Sequence, residues 1–190
     1  MSELFHEWGY PRRVMLQDAT LTQATRLSRE QQLDYLALAA ALGIQRVEVP
    51  PHPIFLEECQ ALGLEAVCPT ADAQDVRACQ HFGVLARVPA SVALAVPRQP
   101  LQITLNSVAQ LPPHRLSRYL AELGDLSAEL CLEDEVGEAT VEGTERLLGF
   151  VELLQIRMGK LMPLTWSQRD VSGMGIFGAL RAVATGCVSC

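Results

Sequence analysis

The run Val14-Met15-Leu16-Gln17-Asp18, followed by Leu27-Ser28-Arg29-Glu30 and then Leu42-Gly43-Ile44-Gln45-Arg46-Val47-Glu48-Val49-Pro50, decides how the chain is read. An apolar triplet ends on a carboxylate. Ser28 is a good N-cap with Glu30 and Gln31 in the first turn behind it, and Leu33, Leu36, Ala37, Ala40 and Ala41 recur at helical spacing until Gly43 stops the helix. Arg46 to Val49 alternates as a strand and Pro50-Pro51 ends it. Strand, helix, strand in this order is a parallel β/α unit, whose strand ends on the carboxyl side face one crevice. Asp18 and Glu48 are therefore expected to share a site.

The same alternation runs outward from this unit. Helices are expected over 54–62, 71–82, 113–123, 141–158 and 176–184, closed in turn by Gly63, Gly83, Gly124, Gly159 and Gly186. Strands are expected over 64–68, 84–88, 101–105, 130–132 and 161–166. Residues 19–26 read as a loop, and 90–96 are ambiguous between helix and strand. Repeated β/α alternation without hairpin signals implies a parallel sheet. A closed barrel of eight units typically takes about 250 residues, and this chain has 190. The expected fold class is accordingly α/β, a shortened or incomplete TIM-type (β/α) barrel in one domain over 1–190 with an N-terminal extension over 1–13; a doubly wound open sheet is the alternative. Edge strands left unpaired near 14–16 and 161–166 invite covering, so a homo-oligomer or a protein partner at the open seam is expected.

Composition narrows the partners. With 15 Lys+Arg against 22 Asp+Glu, the net charge is -7, which leaves no basic field to gather a nucleic acid or an anionic membrane. No apolar run reaches the length of a membrane span and the N-terminus lacks a signal-peptide core, so a cytoplasmic protein is expected. The six cysteines are then reduced thiols, with Cys59, Cys68, Cys79 and Cys131 in apolar patterns where free cysteine is a small core residue. Cys187-Val188-Ser189-Cys190 lacks the following helix of a redox motif. His6, His52, His81 and His114 are scattered, none at metal-ligand spacing.

The two ends of the chain resemble the DRE-TIM metallolyases, the family of HMG-CoA lyase, isopropylmalate synthase and homocitrate synthase. The family's Leu-Arg-Asp lies over Leu16-Gln17-Asp18, its Ser-x-Glu over Ser28-Arg29-Glu30, and its Leu-Gly-x-x-x-Ile-Glu-Val over Leu42 to Val49. A rival alignment uses Asp18-Ala19-Thr20-Leu21 and needs a gap. Near the C-terminus, Leu164, Gly173, Leu180, Ala182-Val183 and Gly186 fit the frame around the family's His-x-His-Asn-Asp segment. The resemblance puts Asp18 at a divalent-metal ligand position and Glu48 at the Glu of the signature. It puts Gln17 where the catalytic arginine stands, and Ser167, Arg169 and Asp170 where the two histidines and the first residue of Asn-Asp stand. Ser107 and Glu133-Asp134 fall at further strand ends.

That family uses its metal as a Lewis acid on an enolate. One carboxylate with a serine and an arginine in place of two imidazoles is a poor divalent site, and a guanidinium grips a carboxylate without supplying Lewis acidity. The resemblance therefore implies a degenerate relative that binds a small-molecule carboxylate through Gln17, Ser167, Arg169 and Asp170. It would act as a binding, regulatory or assembly subunit, with no cofactor expected and a divalent metal disfavoured. The alternative is an active carbon-carbon lyase or aldol/Claisen-type synthase on a 2-oxo acid or acyl-CoA, with Asp18 or Glu48 as base and Arg169 as carboxylate anchor.

Overall fold

The computed structural model describes residues 15–23, 26–95, 101–123, 128–169, 173 and 175–187. The expected extension over 1–13, Asp170, Met174 and Cys190 lie outside them. Seven strands are present among the described residues: β1 Gln17–Asp18, β2 Arg46–Glu48, β3 Glu65–Pro69, β4 Leu85–Pro89, β5 Leu101–Leu105, β6 Ala128–Asp134 and β7 Leu164–Gln168. They are hydrogen-bonded in chain order in one sheet. β1 to β4 pair in parallel, as do β6 and β7. Chain-order parallel pairing with an intervening helix is the rule of the TIM-type barrel, and a doubly wound sheet, whose order reverses, is ruled out. The fold is a shortened TIM-type (β/α) barrel.

The helices are α1 Thr20–Gln23, α2 Arg29–Ala41, α3 Pro53–Leu62, α4 Ala73–His81, α5 Ala90–Ala93, α6 Pro113–Leu123, α7 Val141–Arg157 and α8 Gly175–Ala184. α2 begins where Ser28 was expected to cap it: Ser28 Oγ accepts from Gln31 N at 3.3 Å, and Gln31 Oε1 accepts from Ser28 N at 2.9 Å. This reciprocal pair satisfies two helix-end donors that otherwise face solvent. α3 starts with Pro53, and His52 Nδ1 accepts from Ile54 N. Gly43, Gly63 and Gly83 follow helices with φ of 81°, 72° and 67°, a region that costs a side chain but not a glycine.

The chain forms two compact units, Met15–Gln102 and Ile103 onward, taken here one at a time. In the first, strand alternation sends Val47, Ala66, Cys68, Ala86 and Val88 to one face, where they are buried together with Leu36, Phe55, Leu56, Cys59, Val76 and Cys79 of the helices. Each large apolar side chain so buried contributes about 1.5–3 kcal/mol. The other face is polar, with Arg46, Glu48, Arg87 and Gln102 all buried. In the second unit the apolar face of β6 and β7 carries Leu130, Leu132 and Trp166, buried like Leu148 and Val151 of α7 and Ala182 of α8. Gly178 of α8 sits over the Gln168 amide: a Cβ there would lie 2.1 Å from Gln168 Oε1, so a larger residue would have to push that amide aside.

Several boundaries differ from the sequence reading for local reasons. β1 is Gln17–Asp18, with Met15 making an isolated bridge and Leu16 standing 59% exposed, while Val14 of the expected strand over 14–16 lies outside the described residues. The stretch read as a loop over 19–26 contains α1, started when Asp18 Oδ1 takes the Thr20 N–H. The strand expected from Leu161 begins at Leu164, after Pro163, because Gln155 Oε1 of α7 has already captured the Met162 N–H at 2.9 Å. The ambiguous 90–96 opens with the helical turn α5.

Replacing Ser28 by Ala removes the capping box. Urea unfolding should show a loss of about 1 kcal/mol without a change in slope.

Candidate functional site

In the first unit the polar face is built around Glu48, 4% exposed at the end of β2. Gln17 Nε2 of β1 donates to Glu48 Oε1 at 2.7 Å, and Arg87 of β4 donates to the same oxygen in close contact. Thr22 Oγ1 of α1 lies 3.3 Å from Oε2 and 2.9 Å from the Ala19 carbonyl. Gln102 Nε2 donates to Gln17 Oε1 at 3.1 Å, which fixes which way the Gln17 amide faces. Further along the same face, Arg46 Nη2 donates to Glu65 Oε1 at 2.8 Å. The two arginines and two glutamates cancel in charge.

This face could be seen only in part from sequence. Glu48 was expected beside Asp18; it meets Gln17 instead, since Gln17 is in register with Arg46, and Arg46 and Glu48 share a face. Arg87 and Gln102 were missed. The signal for Arg87 was available in Leu85-Ala86-Arg87-Val88-Pro89, where a charged residue stands inside a run that otherwise reads as a fully buried strand.

Asp18 is placed elsewhere. It is in register with Val47, on the opposite face of the strands from Glu48. Tyr35 OH of α2 donates to Asp18 Oδ2 at 2.6 Å, and Thr20 N donates to Oδ1 at 2.7 Å. Burial and the Asp18 hydrogen bond push the Tyr35 hydroxyl above its usual pKa. The expectation that Asp18 and Glu48 share a crevice is thus replaced by two separate clusters, one per strand face, because alternation places adjacent register positions on opposite sides.

In the second unit, Cys131 is in register with Thr165 and Glu133 with Ser167, so these four side chains share a face, where Thr165 Oγ1 also donates to Glu129. Asp134, on the other face and 1% exposed, is committed to the loop that follows it: Oδ1 accepts from Gly137 N at 3.1 Å and Oδ2 from Ala139 N at 2.7 Å. Gln168 Nε2 holds the Ala139 carbonyl at 2.9 Å, and Arg169 N donates to the Asp134 carbonyl at 3.1 Å. Arg169 is exposed at the carboxyl end of β7, and among the described residues its guanidinium has no partner. Ser107, at φ 50° the one non-glycine described residue with positive φ, donates to Glu135 Oε2 at 3.1 Å, while Asn106 Nδ2 holds Oε1 at 2.8 Å.

Among the described residues, the carboxylates that the resemblance sets at or near a metal position do not present an open ligand set. Both oxygens of Asp18 are taken by Tyr35 and Thr20, and Glu48 Oε1 receives two donors, one of them a guanidinium. Among the described residues, no group of three or more His, Cys, Asp or Glu side chains is arranged to hold a metal ion. No helix among them is long and apolar enough to cross a membrane.

No family model matches the chain, and no curated protein is similar to it in sequence. Solved structures match in fold. The carboxyl transferase domain of Rhizobium etli pyruvate carboxylase with 3-hydroxypyruvate aligns with a TM-score of 0.72 at 15% identity, over 99% of this chain and 41% of that one. Hydroxymethylglutaryl-CoA lyase from Pseudomonas aeruginosa aligns at 0.69 and 15% identity, over 95% of this chain and 76% of that one. Deoxyribose phosphate aldolase from Aeropyrum pernix aligns at 0.65 and 14% identity, over 92% and 83%. The likeness is one of fold alone, and this chain spans 41% of the length of the carboxyl transferase structure.

Two measurements probe the clusters. Arg87→Ala leaves the Glu48 carboxylate buried without its main counter-charge and should cost about 3–5 kcal/mol, whereas Arg87→Met combined with Glu48→Leu should recover most of that loss. A double-mutant cycle by chemical denaturation reads the coupling. For Tyr35, a folded pKa above the unfolded value means that its contribution is complete below the unfolded pKa, about 10, and is lost as pH rises through the folded value. Tyr35→Phe should therefore flatten the alkaline limb of the stability curve and cost about 1 kcal/mol at neutral pH.

Proposed function

We propose that the chain is a DRE-TIM-type scaffold without that fold's metal-dependent chemistry, serving as a binding, regulatory or assembly subunit that takes a small carboxylate at Arg169. The observation that carries this reading is the buried engagement of Glu48 by Gln17 and Arg87. A general base must present a lone pair to substrate, and this buried carboxylate has Oε1 held by both those donors, with the Thr22 hydroxyl, which also reaches the Ala19 carbonyl, 3.3 Å from Oε2. Asp18, the other candidate base, is closed off by Tyr35 and Thr20. These contacts disfavour the rebuilt lyase or synthase.

Arg169 supplies the positive half of the proposal. A guanidinium presents a planar fork that matches a carboxylate in a bidentate pair, and one that is exposed and unpaired at a strand's carboxyl end has its donors available. Ser167, on the same strand two positions before it and half-buried, adds a hydroxyl at that end.

Calorimetric titration of the full chain with 3-hydroxypyruvate and with pyruvate tests the reading. Saturable binding is expected, weakened about tenfold or more by Arg169→Ala, the loss of one charge-assisted pair. Binding indifferent to Arg169→Ala, stoichiometric divalent metal in protein purified without chelator, or cleavage of an acyl-CoA or 2-oxo acid substrate would overturn it.

A further inference from the structure

Two buried thiols of the first unit meet each other. Cys68, on the helix-packed face of β3, and Cys79, on the buried face of α4 with Val76, are both 0% exposed and both free cysteines. Their side chains share a hydrogen bond, so the two sulfurs point at each other. A thiol is a weak donor and a weak acceptor, and such a bond does little to hold a helix on a sheet. Packing does not call for a thiol there either. Residues 59–69 recur as residues 79–89, identical at the Cys, Gln, Gly, Ala and Pro positions, and in this repeat Cys68 falls opposite Val88, which is equally buried.

The chain between the two cysteines is short and fixed. Thr70 N donates to the Arg87 carbonyl at 2.9 Å, Asp72 N donates to Thr70 Oγ1 at 3.1 Å, and Asp72 Oδ1 caps α4 by accepting from Gln74 N at 2.6 Å. The end of β3 and the first turn of α4 are thereby set before any cross-link forms. Joining groups that are already held together costs little further conformational freedom, which gives them a high effective concentration. A disulfide also requires side chains that face each other, and these do.

Within the pair the roles are unequal. The hydrogen bond from Cys68 holds the Cys79 thiol below its ordinary pKa, and the same bond, together with burial, raises Cys68. Cys79 is therefore the sulfur that ionises first, and the thiolate is the nucleophile. Cys59, the third thiol nearby, is raised to about 11 by burial and does not compete. Its position marks an approach: Cys59 and Ala66 line a cavity of about 630 Å³ where α3 and α4 end and β3 and β4 begin, and Cys68 is the next residue after Ala66 on the same strand face. We propose that Cys68 and Cys79 form a reversible thiol–disulfide pair whose oxidant is a small hydroperoxide entering by this cavity. The Cys79 thiolate attacks one peroxide oxygen, the O–O bond breaks, and the leaving oxygen takes the proton that Cys79 gave up. Cys79 is left as a sulfenic acid. The Cys68 sulfur then attacks the Cys79 sulfur, the S–O bond breaks, and hydroxide leaves as water with the Cys68 proton. Two electrons pass from the two thiols to the O–O bond.

The test uses the full chain, fully reduced and then exposed to hydrogen peroxide, with thiols counted by alkylation after unfolding. Two alkylatable thiols should be lost and the mass should fall by two hydrogens. Digestion after arginine without reductant should join the 47–77 peptide to the 78–87 peptide, and dithiothreitol should separate them again. Because 47–77 also holds Cys59, two variants assign the bond. Cys59→Ala should keep the linked product, and Cys68→Val, which places there the residue found at the equivalent point of the repeat, should lose it while still folding; Cys79→Ala should lose it as well. The oxidised protein should melt at a higher temperature than the reduced protein, a shift absent from Cys68→Val. Linked peptides that persist in Cys68→Val, sulfinic or sulfonic acid at Cys79 as the peroxide product, or first-unit thiols that all stay alkylatable after peroxide would overturn the proposal.

Discussion

The contact on which the first unit depends is the buried ion pair of Glu48 and Arg87. Glu48 ends β2 and Arg87 is in β4, so the pair bridges β3 on its polar face, above Val67, which is in register with Glu48 on one side and Leu85 on the other. Two charges in so poorly solvated a place pay several kcal/mol each in desolvation, which an attraction of about 4 kcal/mol at contact distances does not return by itself. The balance is made up by neutral donors. Gln17 adds a second hydrogen bond to the shared oxygen, and Gln102 holds Gln17 in turn. Residues from β1, β2, β4 and β5 thus meet in one network. Such a network fixes the register of short strands: β1 has two residues and β2 three, too few for ladder hydrogen bonds to do so alone.

The same network sets the charge that this face presents. Catalytic carboxylates in the interior are left with an incomplete shell, so that substrate or metal completes it. Here Gln17 of β1 and Arg87 of β4 both reach Glu48 of β2, and Arg46 of β2 reaches Glu65 of β3. Glutamine at position 17 is central to this. An arginine there would place a second cation against Glu48 beside Arg87, and the face would carry an uncompensated positive charge awaiting an anion. Glutamine keeps the hydrogen bond, removes the charge and leaves the face neutral.

How much of this could be read from the sequence depends on the range of the interaction. The helix starting at Ser28, the glycine stops at 43, 63 and 83, and the parallel β/α order are set within a turn or two of chain, and those readings agree with the structure. Boundaries failed where a side chain distant in sequence took a backbone donor, as Gln155 does from Met162. The pairing of Gln17 with Glu48 was not foreseen, since the sequence reading joined Glu48 to Asp18, one residue further along the strand. Arg87 stands out as a charge within an apolar strand run, but its partner Glu48 lies two strands away and no local pattern names it. The placement of Asp18 was misjudged for a simpler reason: the crevice argument considered which end of the strand it occupies, and the face was decided by parity.

Parity also accounts for where the two halves of each β/α unit spend their polar residues. In β2 to β4 the odd positions 47, 49 and the even positions 66, 68, 86 and 88 fall on the helix-packed face, and all six are Val, Ala or Cys, buried at 3% exposure or less. These are small side chains, and they let α3 and α4 approach the sheet while the larger Phe55, Leu56 and Phe82 fill in from the helix side. Small residues at the strand and large ones at the helix pack well where the two elements run alongside each other, but where the helices end the large side chains run out before the strands begin. The space left at that end is the cavity of about 630 Å³, and Ala66 on its wall shows that no strand residue compensates for it.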